Sequence, residues 1–323
     1  MNSTKTRTRL TLAAATLMMF APVNTPADAA PRVTSTIEVG DGPWEVAFTP
    51  NGKNAYVTNG FEDTVSVINV PTGNVTYTIT VGDFPQSVAF SPNGKKAYVA
   101  NAFDNTVSVI AVATGDLTDT ITVGEHPDSV AFSPKGHRAY VVNVYDDTVS
   151  VINVKTGTVV DTAFVGDQPA SVTFSPNGTQ AYVVNNLDNT VSVLTLGSEL
   201  IDTIIVGDYP SSVAFSPNGK KAFVTNRNAA TVSIITVATG VVTNTISVGV
   251  GPSSVAFSPN GNNAYVANFD SDTVSVINVA TGVVTDTITE VDGPQSVAFS
   301  PNGKKAFVAN RNADTVSVIK TRG

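Results

Sequence analysis

The feature that most constrains the fold is a short motif that recurs along the whole chain. Thr-Pro-Asn-Gly begins at Thr49, and Ser-Pro-Asn-Gly or Ser-Pro-Lys-Gly begins at Ser91, Ser133, Ser175, Ser216, Ser258 and Ser300. Successive starts are separated by 42 residues, except for one interval of 41 residues between Ser175 and Ser216. A constant period of this length indicates a repeat architecture in which each unit packs against its neighbours.

Each unit contains four short segments that are rich in β-branched and aromatic residues. They read SVAFS, AYVAN, TVSVINV and VVTDTITV in their commonest forms, and such residues favour strands. Asn-Gly, which is typical of tight β-hairpins, joins the first two segments in every unit except the third, which has Lys135-Gly136. The pattern predicts an all-β, seven-bladed β-propeller with four antiparallel strands per blade. A flat β-solenoid is the alternative.

The two ends of the repeat array complement each other. The seventh unit stops after DTVSVIK and lacks its fourth segment, whereas an additional segment, VTSTIEV, precedes the first unit at about 33–39. We expect this N-terminal strand to complete the seventh blade, because that arrangement closes the ring and removes an open sheet edge.

The second segment of each unit carries a recognisable signature. It reads Tyr56-Val57-Thr58-Asn59 in the first unit and then YVAN, YVVN, YVVN, FVTN, YVAN and FVAN. Together with SPNGKKAYVAN and DTVSVI, this pattern resembles the YVTN-repeat β-propeller family over all seven units. The resemblance implies an exported or surface-layer-type propeller whose fold is close to those of lactonase-type and streptogramin-lyase-type enzymes. A fold by itself assigns none of these functions.

Residues 1–29 have the pattern of a secretory signal peptide. Lys5, Arg7 and Arg9 precede an apolar stretch over 10–23, and Ala-Asp-Ala at 27–29 fits a small-residue cleavage site. The alternatives are an uncleaved anchor or a disordered tail. Cleavage would leave a propeller over 30–323 in a secreted, periplasmic or cell-surface location, with no membrane insertion afterwards.

The charge of the chain disfavours several kinds of partner. The sequence has 18 Lys and Arg and 26 Asp and Glu. Removing 1–29 takes away three bases and one acid, which leaves 15 and 25 and a net charge of −10. We therefore expect no nucleic-acid partner. The sequence contains no Cys, and we predict no metal site and no cofactor.

Residues that recur in every unit are interpreted as scaffold, because a single site requires asymmetry. The Asn that ends each second segment is expected to bond the backbone of the following loop. The loop acids lack a calcium-loop pattern and are expected to cap turns: Asp63, Asp104, Asp146, Asp147, Asp188 and Asp272. The Lys residues beside the Asn-Gly turns are interpreted as a solvated rim.

The positions that differ between units lie on one rim. In this strand order the fourth-to-first and second-to-third connections share a rim, which we call the upper face. Its predicted binding residues are Trp44, Phe61, Phe84, Phe103, Tyr145, Leu187, Tyr209, Arg227 and Arg311. A loop-borne apolar cluster of this kind often marks an interaction site. The alternative is that the aromatic residues fold back onto neighbouring blades.

Glu45 interrupts a ring of serines where the first segment of each unit enters the central channel. The other units have Ser87, Ser129, Ser171, Ser212, Ser254 and Ser296 at this position. Glu45, His126 and Arg311 are therefore candidate catalytic residues for an acid–base site. The plainer interpretation, which we favour, is that Glu45 pairs with a nearby base or contacts water. The sequence has no Gly-x-Ser-x-Gly motif and no phosphate-binding loop.

These observations favour a binding module over an enzyme. The predicted partner is a cell-surface polymer or a protein, including a second copy of the chain. The alternatives are a lactonase- or lyase-type enzyme with its site at the channel mouth, and a structural surface-layer subunit.

Overall fold

The computed structural model describes residues 30–322, which form seven four-stranded antiparallel sheets. The only helical segment in this range is a short 3-10 turn at Phe269–Ser271. The predicted seven-bladed propeller is thereby confirmed. The predicted signal peptide at 1–29 lies outside the described residues. Within the described part of the chain, no helix is both long and apolar enough to cross a membrane.

The strands follow the sequence repeat in chain order. After the N-terminal strand come blades 1 to 3, as follows: β1 (Arg32–Glu38); β2 (Pro43–Phe48), β3 (Asn54–Asn59), β4 (Thr64–Asn69) and β5 (Asn74–Thr80); β6 (Pro85–Phe90), β7 (Lys96–Asn101), β8 (Thr106–Ala111) and β9 (Asp116–Thr122); β10 (Pro127–Phe132), β11 (Arg138–Asn143), β12 (Thr148–Asn153) and β13 (Thr158–Phe164).

Blades 4 to 7 continue in the same order: β14 (Pro169–Phe174), β15 (Gln180–Asn185), β16 (Thr190–Thr195) and β17 (Leu200–Ile205); β18 (Pro210–Phe215), β19 (Lys221–Asn226), β20 (Thr231–Thr236) and β21 (Val241–Ser247); β22 (Pro252–Phe257), β23 (Asn263–Asn268), β24 (Thr273–Asn278) and β25 (Val283–Ile288); β26 (Pro294–Phe299), β27 (Lys305–Asn310) and β28 (Thr315–Lys320).

Closure of the ring occurs in blade 7, whose strand order is β1-β28-β27-β26. β1 pairs with β28 in antiparallel register, with Ile37 opposite Val316 and Glu38 opposite Thr315. The predicted completion of the seventh blade by the N-terminal strand is confirmed, and the strand covers 32–38. Blade 7 therefore has the same four strands as the others, built from both ends of the described chain.

The core lies between adjacent blades. Strands such as β3 and β4 are buried along almost their whole length, whereas β5 at the outer edge is largely exposed. This pattern explains why the second and third segments are almost uninterrupted apolar runs. At every blade interface an aromatic residue of a second strand contacts a Phe of the next blade's first strand, with ring centroids 4.6–4.9 Å apart.

The recurrent Asn at the end of each second strand is buried and bonds mainly to side chains. In blade 3, Nδ2 of Asn143 donates to Oγ1 of Thr148 at 3.0 Å and to Oγ of Ser150 at 2.9 Å. Its Oδ1 accepts from the backbone N–H of Gly124 at 3.1 Å. The expectation of a bond to the following loop backbone is therefore wrong. The amide instead joins the second and third strands of its own blade, because its side chain points into the sheet.

Candidate functional site

Two rings of residues line the upper mouth of the channel. The first strand of each blade, which is the strand nearest the channel, begins with Pro. The next two residues face the channel entrance. The outer ring consists of Trp44, Gln86, Asp128, Ala170, Ser211, Ser253 and Gln295, and the inner ring consists of Glu45 and the six equivalent serines. Together they enclose a cavity of about 260 Å³, which we call the mouth cavity.

Serines of the inner ring connect neighbouring blades. Oγ of Ser87 accepts from the backbone N–H of Val130 in the next blade at 3.1 Å, and Oγ of Ser129 accepts from Val172 at 3.2 Å. Equivalent bonds join blade 6 to blade 7 and blade 7 to blade 1. A small hydroxyl at this position therefore satisfies a buried N–H of the adjacent sheet.

Glu45 makes the same connection as the serines that it replaces. Its Oε2 accepts from the backbone N–H of Val88 in blade 2 at 2.8 Å, and the Ser87 hydroxyl also bonds to the carboxylate. Burial nevertheless raises the pKa of Glu45 to about 7, against the lowering effect of these two hydrogen bonds. Glu45 is thus both a link between two blades and a carboxyl group that titrates near neutral pH.

A second carboxyl group, Asp128, lies in the same cavity and was not among the predicted site residues. Its pKa is raised to about 7, first by burial and then by the negative charge of Glu45. A signal was present in the sequence, because Asp128 is the only ionisable residue in the outer ring. The adjacent inner ring shows the sharper contrast, because the position of Glu45 is Ser in the other six units.

The other two candidate catalytic residues have different neighbours. Within residues 30–322, Glu45 has no hydrogen bond to His126 or Arg311. Nε2 of His126 lies 3.2 Å from Nε2 of Gln86, and burial lowers the histidine pKa, so the neutral ring accepts from the Gln86 amide. Gln86 lines the mouth cavity, and His126 therefore reaches the cavity only through it.

Arg311 of blade 7 packs against aromatic rings. Its guanidinium lies 4.2 Å from the ring centroid of Trp44 and 5.4 Å from that of Phe61. These are cation–π distances. Burial lowers the pKa of Arg311, and the charge of Arg227 lowers it further.

Five predicted binding residues of blades 1 to 3 and the candidate catalytic residue His126 form a continuous series of aromatic contacts. We call it the aromatic arc: Trp44, Phe61, Phe84, Phe103, His126 and Tyr145. Phe84 contacts Trp44, Phe61 and Phe103, with ring centroids 5.4, 5.6 and 4.6 Å away. His126 continues the arc to Phe103 at 5.6 Å and to Tyr145 at 4.6 Å. Phe61, Phe103 and Tyr145 remain 55%, 59% and 64% exposed.

The remaining predicted binding residues lie on the same face but outside the arc. Leu187 is exposed at the tip of its loop in blade 4. Tyr209 and Arg227 line the mouth cavity. Arg227 also pairs with Asp270 at 3.2 Å and lies over Phe269. The upper face is therefore aromatic over blades 1 to 3 and polar over blades 5 and 6.

Three residues of the upper face are held in a backbone conformation that is unusual for bulky side chains. Phe84, His126 and Tyr209 have φ of 54°, 55° and 53°, a region that bulky residues rarely occupy. Each of their N–H groups donates to an Asp or Asn of the preceding blade's loop; for example, Phe84 donates to Oδ1 of Asp63 at 3.0 Å. Asp63 thus bonds to the loop that precedes blade 2 rather than to its own turn, and these three bonds fix the backbone from which Phe84, His126 and Tyr209 project.

Comparison with known proteins agrees with this architecture. A family model described as "Lactonase, 7-bladed beta-propeller" matches residues 17–158, 122–299 and 247–322. Among proteins of curated function, none gives a significant match. A solved structure of Kuenenia stuttgartiensis hydrazine synthase is similar with a TM-score of 0.79 and 22% identity, covering 87% of this chain and 96% of that chain. At that identity the similarity concerns the fold alone.

Proposed function

Since the chain belongs to the lactonase seven-bladed β-propeller family, we propose that it is an exported member of the YVTN-repeat type that binds carbohydrate on its upper face. The aromatic arc is the single observation that carries this proposal. Within residues 30–322, the aromatic side chains of the arc are not part of the hydrophobic core between blades, and three of them are more than half exposed. Exposed aromatic clusters of this kind are typical of binding surfaces.

The mouth cavity beside the arc supplies the polar half of such a site. The side chains of Ser171, Ser212 and Gln295 face this cavity and have no protein hydrogen-bond partner within residues 30–322. Glu45 and Asp128 add acceptors. A ligand that presents both apolar C–H faces and hydroxyl groups matches this combination, because rings pack against the former and polar groups bond to the latter. Carbohydrate has that chemistry.

The binding proposal is tested by titration with oligosaccharides, following the fluorescence of Trp44, which is the only Trp in the chain. We expect a saturable change with one class of neutral glycan. Phe103→Ala should weaken binding about tenfold or more, as removal of a central aromatic contact does. Tyr77→Ala is the matched control, because Tyr77 is 41% exposed but lies on the outer strand β5, beside Gly115 of a lower turn.

Three results would count against this function. Equal loss of affinity in Phe103→Ala and Tyr77→Ala would show that the arc is not the contact surface. Binding of short aromatic or proline-rich peptides instead of glycans would change the ligand class to protein. Self-assembly without any ligand, seen by analytical ultracentrifugation and abolished by Phe103→Ala, would support the surface-layer alternative.

A second candidate function is lactone hydrolysis in the mouth cavity, and the pairing of Glu45 with Asp128 favours it. A carboxyl group with a pKa near 7 is suited to take a proton from water at neutral pH. The water oxygen would add to the lactone carbonyl, and the proton held by the carboxylate would pass to the ring oxygen as the C–O bond breaks. The hydroxyl of Ser129 lines the same cavity and is available as a donor.

Lactone hydrolysis is tested by following acid release from simple lactones. Glu45→Gln and Asp128→Asn should each lower kcat/KM by about 100-fold or more if they act as general base and partner. Glu45→Ser introduces the residue found in the other six blades. It keeps a hydrogen-bond acceptor for the neighbouring blade but removes the carboxyl group, so it separates the link between blades from the proton transfer. Hydrolysis that survives in both Glu45→Gln and Asp128→Asn excludes this site.

A further inference from the structure

A large cavity opens on the face opposite to the aromatic arc. Its volume is about 1270 Å³, compared with about 260 Å³ for the mouth cavity. Hairpin turns of blades 2, 3 and 4 line it, and these turns belong to the first-to-second and third-to-fourth connections. We call this feature the lower groove.

Two departures from the sequence repeat meet at the lower groove. The hairpin turn of blade 3 reads Lys135-Gly136-His137-Arg138, whereas every other blade has Asn in place of Lys135. The neighbouring turn of blade 4 is the one that is a residue shorter, and its Leu196 is exposed along the groove. Blade 3 also has Lys155, where blades 1, 2, 5 and 6 have Pro71, Ala113, Ala238 and Ala280. The groove is therefore an asymmetric feature, unlike the rest of this rim.

Basic residues are concentrated in the lower groove. Its lining includes Lys95, Lys96, Lys135, Arg138 and Lys155, together with His137, and it contains no Asp or Glu. These are five of the 15 Lys and Arg that remain after residue 29, in a segment that has 25 acids. Within residues 30–322, none of the five has a carboxylate oxygen within 4.0 Å, since the salt bridges there involve Arg227 and Arg322.

Amide groups of the groove reinforce its donor character. Oδ1 of Asn93, Asn153 and Asn177 accepts from backbone N–H groups of the same turns at 3.0 Å. Their Nδ2 groups donate to no protein acceptor within residues 30–322. Lys96 is the exception among the lysines, because its Nζ donates to the carbonyl of Val154 at 3.3 Å and thereby joins blades 2 and 3. The groove thus offers many free donors and few free acceptors.

We propose that the lower groove is a second binding site, which takes an acidic polysaccharide. Lys95, Lys135, Arg138 and Lys155 would meet its carboxylates, since Arg and Lys donate strongly to such groups. The apolar surfaces of Pro134, Pro176 and Leu196 lie beside these donors and suit the C–H faces of sugar rings. The acidic remainder of the protein repels a polyanion and directs it to the groove.

The test measures binding of polygalacturonate to the protein by titration calorimetry at low and at high salt concentration. We expect binding that weakens steeply with salt, and no binding of neutral dextran. The variant Lys135→Asn/Lys155→Ala, which restores residues common in the other blades, should weaken binding at least tenfold. The matched control, Lys220→Asn/Lys304→Asn, removes two charges from lower turns of blades 5 and 7 and should stay within about twofold of wild type.

Each contrary result has a distinct meaning. Equal loss in the two charge variants would show that only the net charge matters, and would overturn the groove as a site. Absence of wild-type binding at low salt would do the same. Loss of polygalacturonate binding in Phe103→Ala would show that the acidic polymer binds to the upper face instead of the lower groove. Since the lower groove shares no residue with the aromatic arc, failure of one site leaves the other intact.

Discussion

Replacing Glu45 with Gln should change how the stability of the protein depends on pH. Gln keeps the shape of the side chain, and its carbonyl oxygen can still accept from the N–H of Val88, which lies 2.8 Å from Oε2 in the wild type. The substitution removes only the ability to carry a negative charge. It therefore isolates the free energy of ionising this carboxyl group inside the channel mouth.

The sign and size follow from the raised pKa. Burial raises the pKa of Glu45 from 4.5 to about 7, so between these pH values the folded protein holds a proton that the unfolded chain has released. The free energy of unfolding then falls as pH rises through this window and levels off above pH 7. The difference, 7 minus 4.5, at about 1.36 kcal/mol per pH unit corresponds to at most about 3 kcal/mol. Contact with channel water reduces it to about 1–3 kcal/mol.

Denaturant unfolding of wild type and Glu45→Gln across pH 4 to 8.5 measures this difference directly. The two proteins should be equally stable near pH 4, and the variant should be more stable by about 1–3 kcal/mol at pH 8. Subtracting the curves cancels groups whose ionisation does not depend on Glu45, such as His126, whose pKa is lowered by burial. Glu199→Gln, at an exposed turn, controls for replacing a carboxyl group with an amide outside the channel mouth.

A flat difference between wild type and Glu45→Gln would refute the reasoning, because it would mean that the carboxyl group titrates normally. Greater stability of the wild type at pH 8 would refute it more strongly, since the charge would then be stabilising. The variant should also lower the pKa of Asp128, which the charge of Glu45 helps to raise. A smaller pH effect of Asp128→Asn in the Glu45→Gln background would report that coupling.

Three further predictions concern the scaffold. Within residues 30–322 the buried hydroxyl of Tyr98 has no hydrogen-bond partner, whereas that of Tyr140 donates to the carbonyl of Thr195 at 3.1 Å. In denaturant unfolding, Tyr98→Phe should be neutral or stabilising and Tyr140→Phe should cost about 1 kcal/mol. Asn143→Ala should cost about 2–3 kcal/mol in the same assay, because it leaves buried hydroxyl partners unsatisfied. Deleting residues 30–39 should lower the melting temperature by calorimetry and promote aggregation, because β28 becomes an open edge; an unchanged melting temperature would contradict closure through β1.

The fold was predictable because every unit repeats the same local signals. Strand-forming residues, Asn-Gly turns and the spare N-terminal segment all agree with one closed ring. The link made by Glu45 was not predictable, because it joins residues 43 positions apart, and the direction of a side chain across two packed blades is not encoded by local pattern. The role of the recurrent Asn was mispredicted for a similar reason, since its choice of partner depends on burial.

The candidate site illustrates a second limit. Asp128 is the only acid in the outer ring, but the other six residues there are of four different types, so Asp128 stands out less than Glu45 does among serines. Its importance follows from geometry, which places it in the same cavity as Glu45. His126 shows the reverse, because a residue chosen for its chemistry turns out to stack on Tyr145 and to bond to Gln86.

The departures from the repeat are unevenly distributed, and this distribution links the two proposed sites. The aromatic arc occupies the upper loops of blades 1 to 3, and the lower groove occupies the lower turns of blades 2 to 4. Blades 5 to 7 have Asn228, Asp270 and Asn312 where blades 1 to 3 have Phe61, Phe103 and Tyr145, and they keep the Asn-Gly lower turn. Because inter-blade aromatic pairs and buried Asn networks stabilise every blade alike, loops and turns can vary without loss of the ring. One side of the propeller therefore carries most of the specialised surface, on both of its faces, and the opposite side serves mainly to close it.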